Sequence, residues 1–104
     1  MKTRRAKATD IPQNVKETVW ERDGHRCLIC GSPQAMPNAH IVSRAQGGLG
    51  VEQNIVTLCR ECHHRMDNSQ ARKVYLARCI EYIKMHYPDW TDESVTYDKW
   101  KFLK

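Results

Sequence analysis

Two Cys-x-x-Cys pairs, Cys27 with Cys30 and Cys59 with Cys62, stand on either side of residues 31–58. This spacing puts both thiols of a pair at one turn, and two such turns can close four thiolates tetrahedrally around one Zn²⁺, each sulfur about 2.3 Å from the ion. The expected fold therefore brings the two cysteine pairs together across residues 31–58. Redox pairs and ordinary buried thiols are the rival readings, and matched spacing in two pairs argues against both. A zinc ion with all four positions filled by protein has none left for a substrate. It serves folding instead, contributing about 10 kcal/mol or more in small domains. Cys79 is different: it falls at helical spacing from Tyr75, Tyr82 and Ile83 and reads as a small buried thiol.

Such a staple suits the size. A chain of 104 residues is one domain's worth, and a lone core of this size buries roughly two thirds of the surface its unfolded chain exposes. The composition, 40% apolar and 28% charged, is that of a globular protein, and no apolar run approaches the ~20 residues needed to cross a bilayer. Lys2, Arg4, Arg5 and Lys7 open the chain with no apolar stretch behind them, so no secretion signal is expected. The expected location is a bacterial cytoplasm, where disulfides are rare. Lysine and arginine number 17 against 12 acids, a formal charge of +5. That surplus favours a polyanionic partner, although many small basic proteins touch no nucleic acid.

Along the chain, residues 1–10 offer almost nothing to bury and read as a flexible basic arm, with order beginning at Pro12. Residues 14–21 predict a short helix capped by Asn14, with Val15, Val19 and Trp20 on one face and Asp23-Gly24 ending it. Residues 27–33 read as a tight metal-binding turn. Residues 40–42 and 54–58 predict two strands joined through the glycine-rich loop 46–50. Residues 60–67 should be helical. So should 70–86, where Leu76, Ile80, Ile83 and Tyr87 recur at three and four before Pro88. The tail 89–104 holds Trp90, Val95, Tyr97, Trp100 and Phe102 and should fold back onto the domain. The expected organisation is an arm over 1–10, a core over 11–68 and a helical extension with an aromatic tail over 69–104.

Between and just after the cysteine pairs lie His40, Asn54 and His63. The string Asn38-Ala-His-Ile-Val-Ser, the loop Gln46-Gly-Gly-Leu-Gly and the run Glu52-Gln-Asn-Ile-Val-Thr-Leu-Cys-Arg-Glu-Cys-His63 resemble the HNH endonucleases of phages and bacteria that carry a four-cysteine zinc site. The likeness spans about residues 12–68. It implies an α+β fold with a small ββα-metal core, a zinc knuckle pair, an N-terminal helix and a C-terminal helical extension. It also implies hydrolysis of DNA phosphodiester bonds with one divalent ion, Mg²⁺, Mn²⁺, Ni²⁺ or Zn²⁺, leaving 5′-phosphate and 3′-hydroxyl ends.

Carried over by position, His40 matches the general base, a task an imidazole titrating near neutrality suits. Asn54 matches the residue whose amide ties down the glycine-rich loop, so Asn54→Ala is expected to fold nearly as wild type while losing cutting. His63 matches a metal ligand at the start of the last core helix, and Asp67, four residues on and so on the same face, is the expected second ligand. The position before the base, often a ligand in this family, is Ala39 here, and Asn38 or water is expected to stand in, since Mg²⁺ keeps several waters. His25 and His86 read as surface residues, and His64 as solvent-facing or phosphate-contacting rather than a metal ligand. Arg44, Arg60 and Arg65 are the expected phosphate contacts, with Arg4 and Arg5 adding sequence-neutral affinity.

DNA is thus the expected partner, with no membrane. By resemblance a phage terminase or another packaging or nuclease component is a further one. Two rival functions are a zinc-dependent DNA-binding module without catalysis, for which Ala39 argues, and a structural zinc domain docked on a larger assembly.

Overall fold

The computed structural model describes residues 3–68 and 70–98; Trp100 and Phe102 of the aromatic tail lie outside the described residues. Strand β1, Ala35–His40, pairs antiparallel with strand β2, Ile55–Cys59, in the register Ala35 to Cys59 and His40 to Ile55. The ladder slips between Met36 and Ala39, where Pro37 has no N–H to give it. β1 thus ends where the sequence predicts a strand to begin. Proline and asparagine at 37 and 38 hide a strand from propensity, and Ile41 and Val42 peel away into the loop. All five residues of β2 are buried, which explains its unbroken Ile-Val-Thr-Leu-Cys run.

Helix α3, Arg60–Asn68, follows β2 without a linker. The two strands and this helix form the ββα unit, and Cys59 and Cys62 sit at the strand-to-helix joint. Helix α4, Arg72–His86, packs on α3 with Cys79 and Ile83 inward, and the Cys79 Sγ lies 3.9 Å from Met66 Sδ. Burial pushes the Cys79 thiol up to about 12, as expected of an inert core cysteine.

Helix α2, Gln13–Arg22, starts with Pro12 rather than Asn14 in the cap position, and no side chain caps it. The carbonyl of Pro12 accepts from the N–H groups of Val15 and Lys16, so Asn14 lies inside the first turn. The helix ends as expected at Asp23, with Gly24 in the left-handed region at φ +73. Its last residues form a buried polar knot invisible to pattern reading. The Arg22 guanidinium donates to the carbonyls of Glu52 (2.6 Å) and Ile55 (2.7 Å) and pairs with Asp23. The Asp23 carboxylate accepts from the Thr57 N–H and the Tyr82 hydroxyl, both at 2.8 Å. One carboxylate thereby fastens α2 to β2 and to α4, and burial beside it pushes the Tyr82 phenol up to about 12.

The described part of the tail folds back onto the domain. Trp90 is buried and its indole N–H donates to the Gln53 carbonyl at 2.8 Å. Val95 is buried, and Leu49 and Tyr97 exchange backbone bonds with Val95 and Gly47, so the tail grips one side of the glycine-rich loop. Helix α1, Arg4–Thr9, grips the other. Its N-cap Thr3 accepts from the Ala6 N–H, and its end meets Gly50. The segment read as a flexible arm is thus helical and docked, because its anchors, the Ala8 and Thr9 carbonyls and the Arg5 and Asp10 side chains, are polar contacts that composition does not reveal. Among the described residues no helix is long and apolar enough to cross a membrane.

Candidate metal and nucleic-acid site

The four cysteines converge as their spacing requires. Their sulfur atoms all lie within 4.8 Å of one another, and Cys30 Sγ is 3.5 Å from Cys59 Sγ. A zinc tetrahedron with bonds of about 2.3 Å has sulfur–sulfur edges of about 3.8 Å, so the donor set fits that ion. Cys27, Cys59 and Cys62 are buried, while Cys30 is exposed. Burial opposes ionisation of Cys27, but backbone groups of Cys30, Cys59 and Ile29 outweigh it and bring the thiol down to about 7. Burial and the neighbouring sulfurs push Cys62 well above the usual thiol range. Four thiols this close cannot all ionise unless a cation neutralises them, and that is the electrostatic case for a metal such as zinc. It is the one group of three or more potential ligands among the described residues.

Asn54 is fully buried at the start of β2. Its Oδ1 accepts from the Val42 N–H at 2.8 Å, and its Nδ2 donates to the carbonyls of Val42 (3.1 Å) and Leu49 (2.9 Å). One amide therefore ties both ends of loop 43–48 together. Gly48 fits only because it has no side chain: a Cβ there would lie 1.7 Å from the Val42 oxygen and 2.9 Å from Asn54 Nδ2.

His40, the last residue of β1, is half-buried and lines one cleft with Ser43 and Arg44 of this loop. Its Nε2 lies 2.9 Å from the Thr9 carbonyl oxygen. A carbonyl only accepts, so Nε2 carries the hydrogen and the neutral ring's lone pair is on Nδ1. Burial lowers the imidazole below its usual 6.5, and the Arg44 and His63 charges push the same way against the Thr9 bond and Asp67. The ring is therefore neutral at pH 7.

One open cleft of about 770 Å³ is lined by His40, His63, Asp67 and Asn38 together with Asp10, Ser43 and the cations Lys16, Arg44 and Arg72. His63 and Asp67 project from one face of α3 with Nε2 and Oδ2 3.3 Å apart. A second cleft of about 990 Å³ shares Asn38, His63 and Asp67 and adds Arg60 and His64. Ala39 is fully buried in the core, so the backbone at that position aims no side chain at the cleft.

The structure thus brings His40, His63, Asp67, Asn38 and Arg44 together, with Arg60 next door. Arg65 points elsewhere, donating to Glu61 (2.6 Å) and to the Tyr75 hydroxyl (3.3 Å). Arg5 donates to the Ala45 carbonyl at 2.7 Å beside the loop, and Arg4 is exposed on α1. Of the outlying histidines, His25 stacks on Trp20 and meets Glu21, and His64 faces Asn68, all at the surface. Sequence reasoning missed Lys16, Arg72 and Asp10. They come from α2, α4 and the N-terminal segment, and only the folded chain puts them at one mouth.

A two-strand hairpin running into a helix, beside a four-thiol cluster, with a histidine of the first strand sharing a cleft with a histidine and a carboxylate of the helix, is compatible with a ββα-metal core. Residues 27–74, a little under half of the chain, match the family model described as HNH endonuclease, a likeness that supports a function of the nuclease kind. Comparison with curated proteins and with solved structures returned no match.

Proposed function

We propose that the shared cleft hydrolyses phosphodiester bonds of DNA, nicking or cutting the duplex with His40 as general base. The observation that supports this best is that a neutral imidazole whose Nδ1 has no hydrogen bond among the described residues lines the same open, cation-rimmed cleft as the His63–Asp67 pair. Nδ1 of His40 takes the proton from an attacking water, and the ring then holds a proton on each nitrogen. Thr9 keeps the Nε2–H bonded throughout, and burial favours passing the proton on. Asn54 holds the loop over the ring and so orients it.

Imidazole nitrogen and carboxylate oxygen facing each other in an open cleft suit a divalent cation, and Mg²⁺ needs few protein ligands. His63 and Asp67 would hold it, with Asn38 as the nearby amide oxygen. When bound, such an ion stabilises charge on the phosphate oxygens and on the departing 3′-oxygen. Lys16, Arg44 and Arg72 steer and seat the phosphodiester chain, contacting backbone rather than bases.

Buried Ala39 favours a second reading, a DNA-binding module without catalysis, since the first strand then offers the ion little. Supercoiled plasmid incubated with Mg²⁺, Mn²⁺ or Ni²⁺, beside a His40→Ala control, separates the two. Nicking that disappears in the control is the expected result; retardation of DNA with no nicking under any metal would replace the nuclease by the binding module.

A further inference from the structure

The nitrogen opposite the reacting one is bonded from outside the HNH segment. Thr9, the acceptor for His40 Nε2–H, precedes residue 27 and is only 4% exposed. Four contacts seat that stretch on the glycine-rich loop. Gly50 N–H donates to the Ala8 carbonyl at 2.9 Å, Arg5 donates to the Ala45 carbonyl, Asp10 pairs with Arg44, and Gly50 itself lies under the Asp10 backbone. A Cβ on Gly50 would stand 1.8 Å from the Asp10 oxygen and 2.4 Å from its carbonyl carbon. No left-handed φ demands glycine there. The docked segment alone excludes a side chain.

We propose that residues 3–11 form a positioning strap for His40, with the Thr9 carbonyl fixing the ring as its Nε2–H tautomer and Gly50 serving as the notch in which the strap docks. The inference rests on the reading of His40 as the base for its kinetic consequence, but the tautomer stands apart from it. Thr9 is a positioning residue: it touches neither substrate nor reacting atoms. A ring released from it samples both tautomers and turns about its χ angles, and misplacement by about 1 Å is enough to slow a reaction on the order of 100-fold.

The test uses the full zinc-loaded chain with ¹⁵N-labelled histidine. Long-range ¹H–¹⁵N spectra of the wild type should show His40 protonated at Nε2 and bare at Nδ1. Gly50→Ala should expose Lys7 to trypsin, mix the His40 tautomers and lower the plasmid-nicking rate about 100-fold, with much less change in affinity for duplex DNA. Arg5→Ala combined with Asp10→Ala removes two anchors without adding bulk, and its trypsin and tautomer readouts should move the same way should Gly50→Ala fail to fold. A wild-type ring protonated at Nδ1, or a released strap with the Nε2–H tautomer unchanged, would overturn the proposal. So would a folded Gly50→Ala protein whose Lys7 stays protected. A wild type with the expected tautomer and no nicking would leave the strap standing and remove the nuclease reading instead.

Discussion

Removing the Asn54 amide strips three hydrogen bonds of a fully buried side chain at once. In Asn54→Ala the Val42 N–H and the carbonyls of Val42 and Leu49 lose their partner in a place with no solvent access at the Asn54 side chain. Each buried polar group left unpaired costs about 1–3 kcal/mol. The loop ends can drift apart and admit water, so the lower bound applies to each, giving a loss of about 3 kcal/mol. Small domains have about 5–15 kcal/mol in total, and at this size the loss lowers Tm by roughly 12–24 °C. The near-wild-type folding that the sequence suggests for this variant therefore does not follow from the structure, although the zinc cluster, at the far end of β2, should stay loaded. Chemical denaturation of the zinc-loaded protein, with zinc content and plasmid nicking measured alongside, checks the reasoning. A loss under about 1 kcal/mol, the value of a single ordinary hydrogen bond, would refute the amide as the loop's tie. Full nicking in a destabilised variant would refute its role in orienting His40.

Chelation of the metal, or Cys59→Ser, should unfold the ββα unit, seen as loss of helical circular dichroism that returns with added Zn²⁺; an unchanged spectrum would mean that the thiols merely pack. Asp23→Ala leaves the Arg22 guanidinium buried without its carboxylate and should lower stability by about 3–5 kcal/mol, against about 1 kcal/mol for Tyr82→Phe, both read by denaturant midpoint. Arg72→Ala and Lys16→Ala should each weaken DNA binding and reduce the salt slope by about 1. Arg65→Ala, whose side chain is held by Glu61 and Tyr75, should leave that slope unchanged in the same titration.

What could be read from the residues follows how local the physics is. The cysteine pairs, the helices after Cys59 and after residue 71, and the burial of Cys79 depend on spacing within one element. Asn54 and His63 are legible because they sit beside a buried strand and a thiol ligand. β1 was obscured because Pro37 breaks its ladder, and Asn14 loses the cap to Pro12, two residues earlier than its side chain suggests. The Arg22–Asp23–Tyr82 knot, the docking of α1 and the cationic mouth of Lys16 and Arg72 arise from contacts between residues tens of positions apart. Arg65 shows the converse: proximity to His63 along the helix says nothing about which face a side chain leaves from.

The most direct trial of His40 as the base is the pH dependence of single-turnover DNA cleavage. Burial holds the imidazole below 6.5, and the neutral form is the active one, so the rate should climb with pH to a midpoint under that value and level off through neutrality. His40→Ala should erase this limb and lose about 10²- to 10⁴-fold in rate. The same limb and the same rate in His40→Ala would contradict the account.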